Sequence, residues 1–244
     1  MTRPAAFRGW SAWMELLRAP HALTAWGDPV AGALWSAAGA DDVRPVLMSV
    51  LGALLVYGGG MILNDVADEH TDRQERPLRP LPSGRISRAQ ALAAGAAITI
   101  AGLAAFFAAG PSVFRWGAGL AALAALYNFA LKRTGAGPLA MGGCRALSVL
   151  TGASAAGHIS GGASLAALVI GGYVAVLSSA ARHEMSGGRW TPTHTSRALG
   201  MIPLLQASLC ATATPAGPAR WIWSALLVLM LPLHSGLRRR QPSI

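Results

Sequence analysis

Eight runs of apolar residues, each close to 20 residues long, follow one another along this chain. A helix of about 20 apolar residues is long enough to cross the roughly 30 Å hydrocarbon core of a bilayer. The runs therefore predict an all-α fold, a multi-pass transmembrane helical bundle with about eight spans around a central cavity. They cover residues 20–40, 43–63, 89–109, 113–131, 138–157, 163–181, 197–214 and 219–236.

Composition agrees with this fold class. Hydrophobic residues make up 53% of the chain and charged residues only 12%, and the mean hydropathy is +0.43. A soluble domain carries about 25% charged residues, so this chain has too little charge to cover a water-facing surface. We expect a single transmembrane domain over residues 1–244, surrounded by lipid.

The net charge of +10 does not indicate a nucleic-acid partner. A nucleic-acid-binding protein gathers its Lys and Arg on a soluble face, whereas here they lie between the apolar runs. The basic residues are concentrated in alternate connections, which the positive-inside rule assigns to the cytoplasm. We therefore expect an integral protein of the cell (inner) membrane, with both termini and the two long loops, residues 64–88 and 182–197, on the cytoplasmic side.

The first 18 residues predict an amphipathic helix lying on the membrane surface before the first span. One helical stripe is apolar and the other is polar. The apolar stripe consists of Phe7, Trp10, Met14 and Leu17, and the polar stripe of Arg8, Ser11, Glu15 and Arg18.

The acidic residues are strongly clustered, because five of the ten in the chain lie between Asp65 and Glu75. If the second apolar helix continues past Met61, Asn64, Asp68 and Asp72 fall at positions i, i+4 and i+8, with Asp65 beside them. The face then carries three carboxylates and an amide, and the carboxylates repel one another unless a cation is present. Oxygen ligands of this kind are typical of Mg²⁺, so we predict a metal site formed by these four residues. Glu69 and Glu75 lie off this face, and we expect them to be solvated.

Basic residues follow the acidic cluster directly. Acidic groups that hold a metal, next to guanidinium groups that bind phosphate, predict a Mg²⁺-diphosphate site at a membrane surface. The basic residues are Arg73, Arg76, Arg79, Arg85 and Arg88.

Three stretches of the sequence, in this order along the chain, resemble the UbiA superfamily of intramembrane prenyltransferases. The first is Leu17-Arg18-Ala19-Pro20-His21-Ala22-Leu23-Thr24 with Asp28 and Gly32. The second is Asn64-Asp65-x-x-Asp68-x-x-x-Asp72 with Arg76-Pro77 and Arg79-Pro80. The third is Tyr127-x-x-x-Leu131-Lys132.

The resemblance implies a Mg²⁺-dependent enzyme that transfers an isoprenoid group from a prenyl diphosphate to a small acceptor, aromatic or otherwise. It implies catalytic roles for Asp65, Asp68, Asp72 and Lys132. Diphosphate or substrate contacts are implied for Asn64, Arg76, Arg79, Tyr127 and Lys132.

Two charged residues fall inside apolar runs, Asp28 in the first and Arg145 in the fifth. An ionised side chain at membrane depth is costly unless it faces a polar cavity or an opposite charge. Arg145 is therefore a candidate substrate-binding residue, with snorkelling to the cytoplasmic face as the alternative. Asp28 is either a cavity-facing acid near the substrate or the partner of Arg145.

The chain departs from most of the family after the sixth run. A second aspartate-rich motif is expected there, but the sequence reads Arg182-His183-Glu184, and no aspartate follows Asp72. Glu184 supplies one carboxylate and Arg182 a guanidinium that can bind diphosphate directly in place of a second metal. This pattern resembles the EboC-like branch of the superfamily.

Two alternatives to prenyl transfer stay open at this point. A membrane terpene cyclase would ionise the same diphosphate but use the double bonds of the prenyl chain to quench the cation. A relative without catalytic activity would bind or transport the lipid and release no pyrophosphate.

Overall fold

The computed structural model describes residues 5–17, 24–36, 42–185, 192–213 and 218–239. Within these ranges the chain forms ten α-helices and a short π-helical turn and contains no strand. The predicted all-α fold is confirmed.

The helices follow the predicted apolar runs, with the π-helix Tyr127–Leu131 extending the fifth helix directly. They are α1 Ala5–Leu16, α2 Gly27–Ser36, α3 Arg44–Glu75, α4 Arg88–Ala109, α5 Pro111–Leu126, α6 Gly137–Ala155, α7 Gly161–Met185, α8 Pro192–Gly200, α9 Ile202–Thr212 and α10 Pro218–Arg239.

Among the described residues, three helical stretches are long and apolar enough to cross a membrane unaided. They are α3, α4 and the Gly161–Arg182 part of α7, and α10 contains a shorter apolar stretch, Arg220–Leu229. The seventh predicted run, 197–214, is not one helix. It breaks at Met201 between α8 and α9, where Pro203 in the first turn of α9 lacks the N–H that a continuous helix would need.

Helix α3 is 32 residues long and carries an apolar half and an acidic half. The helix continues past Met61 as the sequence predicts, so the segment we expected as a loop over 64–88 is helical up to Glu75. It ends before Arg76-Pro77 because a proline disfavours helical geometry in the residue that precedes it. The connecting loop is therefore residues 76–87.

Small residues let the helix backbones touch at several crossings. A Cβ atom added at Gly32 of α2 would lie 1.9 Å from the Val149 carbonyl oxygen, and one added at Gly152 of α6 would lie 1.8 Å from the Pro29 carbonyl oxygen. Helices α2 and α6 are thus held in direct backbone contact, which is typical of membrane helices that pack through glycine.

Helix α1 lies against the loop that follows α3. Ala12 and Leu16 are fully buried in an apolar cluster that includes Leu81 of the loop. Met14, which we placed on the apolar stripe, is 38% exposed, while Glu15 of the predicted polar stripe pairs with Arg85 at 2.9 Å. The buried face of α1 therefore differs from the predicted one, because the helix packs on protein as well as on any membrane surface.

Candidate active site

The acidic face predicted for α3 is present and largely buried. Asn64, Asp65 and Asp72 are 5%, 6% and 3% exposed, and Asp68 is half-buried. The helical repeat places the four side chains on one side of α3. Buried carboxylates must be paired or bind a cation. Each of the three carboxylates, those of Asp65, Asp68 and Asp72, has a charged partner among the described residues.

Lys132 bridges two members of this face. Its Nζ donates to Asn64 Oδ1 at 2.7 Å and forms a close ion pair with Asp68. Lys132 follows the π-helix directly, and Asn128 within that turn donates to the Gly60 carbonyl oxygen of α3 at 2.9 Å. The wider π-helical turn and this hydrogen bond fix the end of α5 against α3.

Arg79 neutralises the other two carboxylates. Its Nη1 donates to Asp72 Oδ2 at 2.7 Å and lies 3.9 Å from Asp65 Oδ1. Although it belongs to the loop, Arg79 is only 9% exposed. Arg76 is exposed and lies 3.9 Å from Asp72 Oδ1. The two arginines predicted to bind diphosphate therefore both lie beside Asp72, but only Arg79 is buried.

A pocket of about 540 Å³ opens beside this cluster. We call it the polar basin and define it by six of its lining residues, which come from α3, the loop, the end of α5 and α7. They are Asp68, Asp72, Arg76, Tyr127, Lys132 and Arg182. Arg182, predicted from the altered second motif, is half-buried and donates to the Thr134 carbonyl oxygen. The basin thus collects acidic and basic groups from both predicted motifs.

An apolar cavity of about 90 Å³ adjoins the basin. This apolar chamber lies between α2, α3, α5 and α6, and Tyr127 lines both spaces. Apolar and aromatic side chains form most of its wall, among them Ala53, Val56, Leu120 and Met141. The predicted central cavity is therefore present, and Tyr127 lies between it and the polar basin.

The two membrane-depth charges form a pair on the wall of the chamber. Arg145 Nε lies 3.0 Å from Asp28 Oδ2, and Gln206 Nε2 donates to Asp28 Oδ1 at 2.7 Å. Both expectations for Asp28 hold, since it pairs with Arg145 and also belongs to the lining of the chamber. Arg145 lies outside the polar basin, so the contact that we predicted between it and substrate would have to be made inside the chamber.

The donor set on α3 suits Mg²⁺ only when substrate oxygens complete it. Among the described residues, no three Asp, Glu, His or Cys side chains converge as a ready-made metal site. Mg²⁺ commonly takes one or two protein carboxylates together with substrate phosphates and water. Asp68 and Asp72 line the basin with that chemistry, and Lys132 and Arg79 now occupy the oxygens that the ion would use.

One expectation about the acids is wrong. Glu69 is 7% exposed rather than solvated, and it pairs with Arg73 at 2.7 Å and with Arg88 at 2.8 Å. Arg88 also donates to the Val66 carbonyl oxygen, so Glu69 ties the start of α4 to α3. A buried acid with two cationic partners is structural here.

Two amides in the apolar runs were not singled out from the sequence. Asn128 positions the π-helical turn, and Gln206 is fully buried beside Asp28. The sequence does contain a sign of their importance, since each is a polar side chain inside an apolar run. Such a side chain needs a buried hydrogen-bond partner. The side chain of Glu184 lies outside the part of the chain that the structure describes.

Residues 29–242 match the UbiA prenyltransferase family. The chain is 34% identical over 93 residues to the digeranylgeranylglyceryl phosphate synthase of Saccharolobus solfataricus, a match that covers 38% of this chain and 33% of that protein. It is also 34% identical over 87 residues to a 4-hydroxybenzoate octaprenyltransferase of Legionella pneumophila, covering 34% of this chain and 31% of that protein. The matched region spans about a third of the length of these relatives.

The fold also resembles a solved structure, that of a UbiA homolog from Archaeoglobus fulgidus bound to GPP and Mg²⁺. The TM-score is 0.62, the identity is 17%, and the match covers 95% of this chain and 89% of that one. A likeness at this identity concerns the fold alone.

Proposed function

The chain belongs to the UbiA prenyltransferase family, and on that premise we propose that it is a Mg²⁺-dependent prenyltransferase that moves an isoprenoid group from a prenyl diphosphate to a small acceptor. One observation carries the proposal: the polar basin and the apolar chamber lie next to each other, with Tyr127 in the wall of both. A prenyl diphosphate has a charged head and an apolar tail, and the two adjoining spaces match that division.

The diphosphate head would bind in the basin. Lys132, Arg182 and Arg76 line it, and Arg79 lies behind Asp72 at 2.7 Å. Binding requires Lys132 and Arg79 to turn part of their hydrogen bonding from carboxylate to phosphate oxygens. Asp68 and Asp72, with Asp65 and Asn64 next to them, would hold Mg²⁺, which when bound offsets the negative charge of the diphosphate.

The prenyl tail would lie in the apolar chamber, where Val56, Leu120 and Met141 contact it. Cleavage of the allylic C–O bond leaves the electron pair on the diphosphate. Fixed cations stabilise the charge that develops there more than they stabilise the bound substrate. Lys132 and Arg182 are placed for this role, while the apolar walls keep water from the carbocation. The acceptor then attacks the same carbon.

The same charge distribution supports an orientation. The basin is formed by the most basic connections of the chain, which the positive-inside rule assigns to the cytoplasm. We infer that the basin and both termini face the cytoplasm of a cell whose inner membrane holds the protein.

The test uses the full chain, purified in lipid nanodiscs with Mg²⁺ and labelled geranyl, farnesyl or geranylgeranyl diphosphate, with and without an extract of neutral lipids and phenols. Pyrophosphate release and mass spectrometry of the lipid products are measured together. We expect release that requires Mg²⁺ and a labelled adduct that requires the extract.

The other outcomes contradict the proposal in distinguishable ways. A cyclic hydrocarbon or alcohol formed without acceptor indicates a terpene cyclase. Binding of prenyl diphosphate that depends on Mg²⁺, but without release of pyrophosphate, indicates a protein that only binds or carries the lipid.

A further inference from the structure

A second polar pocket, of about 290 Å³, lies between the acidic half of α3, the first residue of α4 and the π-helical turn. Asp68 and Lys132 line both this pocket and the polar basin, but α6 and α7, which complete the basin, do not reach it. We call it the side pocket and define it by six of its lining residues. They are Asp68, Arg88, Asn128, Phe129, Lys132 and Arg133.

The side pocket carries an excess of positive charge. Three of its side chains are cationic and only one is a carboxylate, and that carboxylate, Asp68, is already paired with Lys132. Glu69 lies next to Arg88 but is shared with a second cation, Arg73. The charge of Arg133 has no acidic partner among the described residues. An anion in this pocket would therefore meet more positive than negative charge.

Both arginines of the side pocket are held by α3 and still have donors to offer. Arg88 uses Nη1 alone, which donates to Glu69 Oε2 at 2.8 Å and to the Val66 carbonyl oxygen at 2.9 Å. Arg133 uses Nη2 alone, which donates to Thr71 Oγ1 at 2.8 Å. Within the described ranges their other N–H groups form no hydrogen bond. Two fixed guanidinium groups with free donors suit a phosphate group.

An exposed apolar side chain lies one helical turn deeper than each arginine. On α4, Leu92 follows Arg88 by four residues and is 47% exposed. At the end of α5, Phe129 precedes Arg133 by four residues and is 57% exposed. Helix α4 is long and apolar enough to cross a membrane, and Arg88 is its first residue. The cations therefore lie where the apolar part of the bundle ends, with apolar surface directly below them.

We infer that the side pocket binds the phosphate group of an anionic membrane phospholipid, with its acyl chains along Leu92 and Phe129. Basic pockets between transmembrane helices are suited to such headgroups. A zwitterionic lipid such as phosphatidylcholine would add an ammonium group to a pocket that already has excess positive charge, whereas phosphatidylglycerol adds none. The site is separate from the chamber proposed for the prenyl tail and does not rest on the proposed function.

A lipid held in this way would join three helices. Its phosphate would contact Arg88 on α4 and Arg133 just after the π-helical turn, and both arginines are bonded to α3. A ligand that binds only the folded bundle stabilises it in proportion to its occupancy. We therefore expect phosphatidylglycerol to raise the temperature of thermal unfolding more than phosphatidylcholine does.

The test titrates the full chain in detergent with an equimolar mixture of phosphatidylglycerol and phosphatidylcholine and counts bound lipids by native mass spectrometry. Each basic residue near an anionic lipid strengthens binding about 5-fold. We expect wild type to prefer phosphatidylglycerol by about 25-fold, from the two arginines, and Arg133→Gln to lower that preference about 5-fold. Arg115→Gln, which removes an exposed cation near the opposite end of α5, is the matched control and should bind as wild type does.

A second variant tests the apolar half of the site. Phe129→Asn is expected to weaken the binding of phosphatidylglycerol, while weak binding of glycerol phosphate, which has the headgroup chemistry without acyl chains, stays unchanged. Inorganic phosphate is titrated in parallel. Displacement of phosphatidylglycerol by glycerol phosphate or inorganic phosphate at equal concentration would identify a site for a soluble phosphate and contradict lipid binding.

Three further results overturn the assignment. They are equal binding of the two lipids by wild type, an unchanged preference in Arg133→Gln, and a loss in Arg115→Gln as large as that in Arg133→Gln, which would indicate a general effect of surface charge. All these measurements are made without prenyl diphosphate, so their outcome is independent of the proposed function.

Discussion

The polar basin and the Asp28–Arg145 pair are two charged regions on one apolar chamber, and they are built in opposite ways. The basin mixes acids and bases from α3, α5, α7 and a loop, and several of them reach solvent. The deep pair joins one acid to one base on two helices in backbone contact. In the basin, a basic side chain can exchange a carboxylate partner for a phosphate. In the Asp28–Arg145 pair, the two charges are held in one geometry.

This comparison predicts different roles for the two regions: the basin binds and ionises the diphosphate, and the pair holds α2 against α6. Changes in the basin should affect pyrophosphate release and prenyl transfer equally, since both depend on binding and ionising the diphosphate. Changes at the Asp28–Arg145 pair, or at the helix crossing that carries it, should instead affect the stability of the fold.

The largest expected effect is that of Asp68→Asn. It removes a carboxylate that lines the basin and pairs with Lys132, and we expect pyrophosphate release to fall on the order of 1,000-fold, in the range seen when one charge-stabilising group is removed. The matched control is Asp42→Asn, which alters an exposed acid just before the other end of α3. Release at the wild-type rate in Asp68→Asn would remove Asp68 from the metal site.

Lys132→Gln is expected to lower release by about 100-fold, because Lys132 both orders Asn64 and Asp68 and faces the leaving group. Arg115→Gln provides the control, since Arg115 is an exposed cation near the opposite end of α5. Equal losses in release and in transfer are expected for Lys132→Gln. A loss confined to transfer would contradict the role of the basin in ionising the diphosphate.

Gly152→Ala tests the rigid crossing behind the deep pair. The added Cβ would lie 1.8 Å from a backbone oxygen of α2, and overpacking of this kind destabilises a protein by about 1–3 kcal/mol. Gly172→Ala in α7 is the control, because nothing lies within 4 Å of a Cβ there. Thermal unfolding in detergent measures the difference, and a Gly152→Ala protein as stable as Gly172→Ala would contradict the close contact.

The smallest effect is expected for Glu15→Gln, which breaks the pair between α1 and Arg85 of the loop. The two side chains are 32% and 37% exposed, and ion pairs this open contribute about 0–1 kcal/mol. We expect the KM for prenyl diphosphate to change less than about 3-fold. A change above 10-fold would show that α1 orders the basin through this pair.

Much of the fold followed from the sequence, because membrane crossing imposes a length and an apolar character that can be read directly. The continuation of α3 past Met61 and the shared face of Asn64, Asp68 and Asp72 followed from helical spacing alone. The break between α8 and α9 did not, since Pro203 can begin a helix as readily as it can interrupt one.

The sequence could not determine which charged side chains on different helices pair with one another. Glu69 and Arg88 are 19 positions apart, and only the path of the loop brings them together. Asp28 and Arg145 are 117 positions apart (145 − 28). A charged side chain at membrane depth is stabilised either by a polar cavity or by an opposite charge, and the sequence does not distinguish these two cases. Gln206 was overlooked because its need for a partner was not considered.

Helix α3 fixes the register between the acidic face and the apolar chamber. A single helix of 32 residues forms one wall of the chamber and also carries Asn64, Asp65, Asp68 and Asp72. The height of these four side chains along the helix and the direction in which they point therefore cannot change independently. One residue inserted between Gly60 and Asn64 would turn the acids by about 100°, away from Lys132. An insertion of seven, close to two turns, would restore their direction but raise them by about 10 Å, so the distance between the scissile bond and the tail cavity can vary only in steps of whole turns.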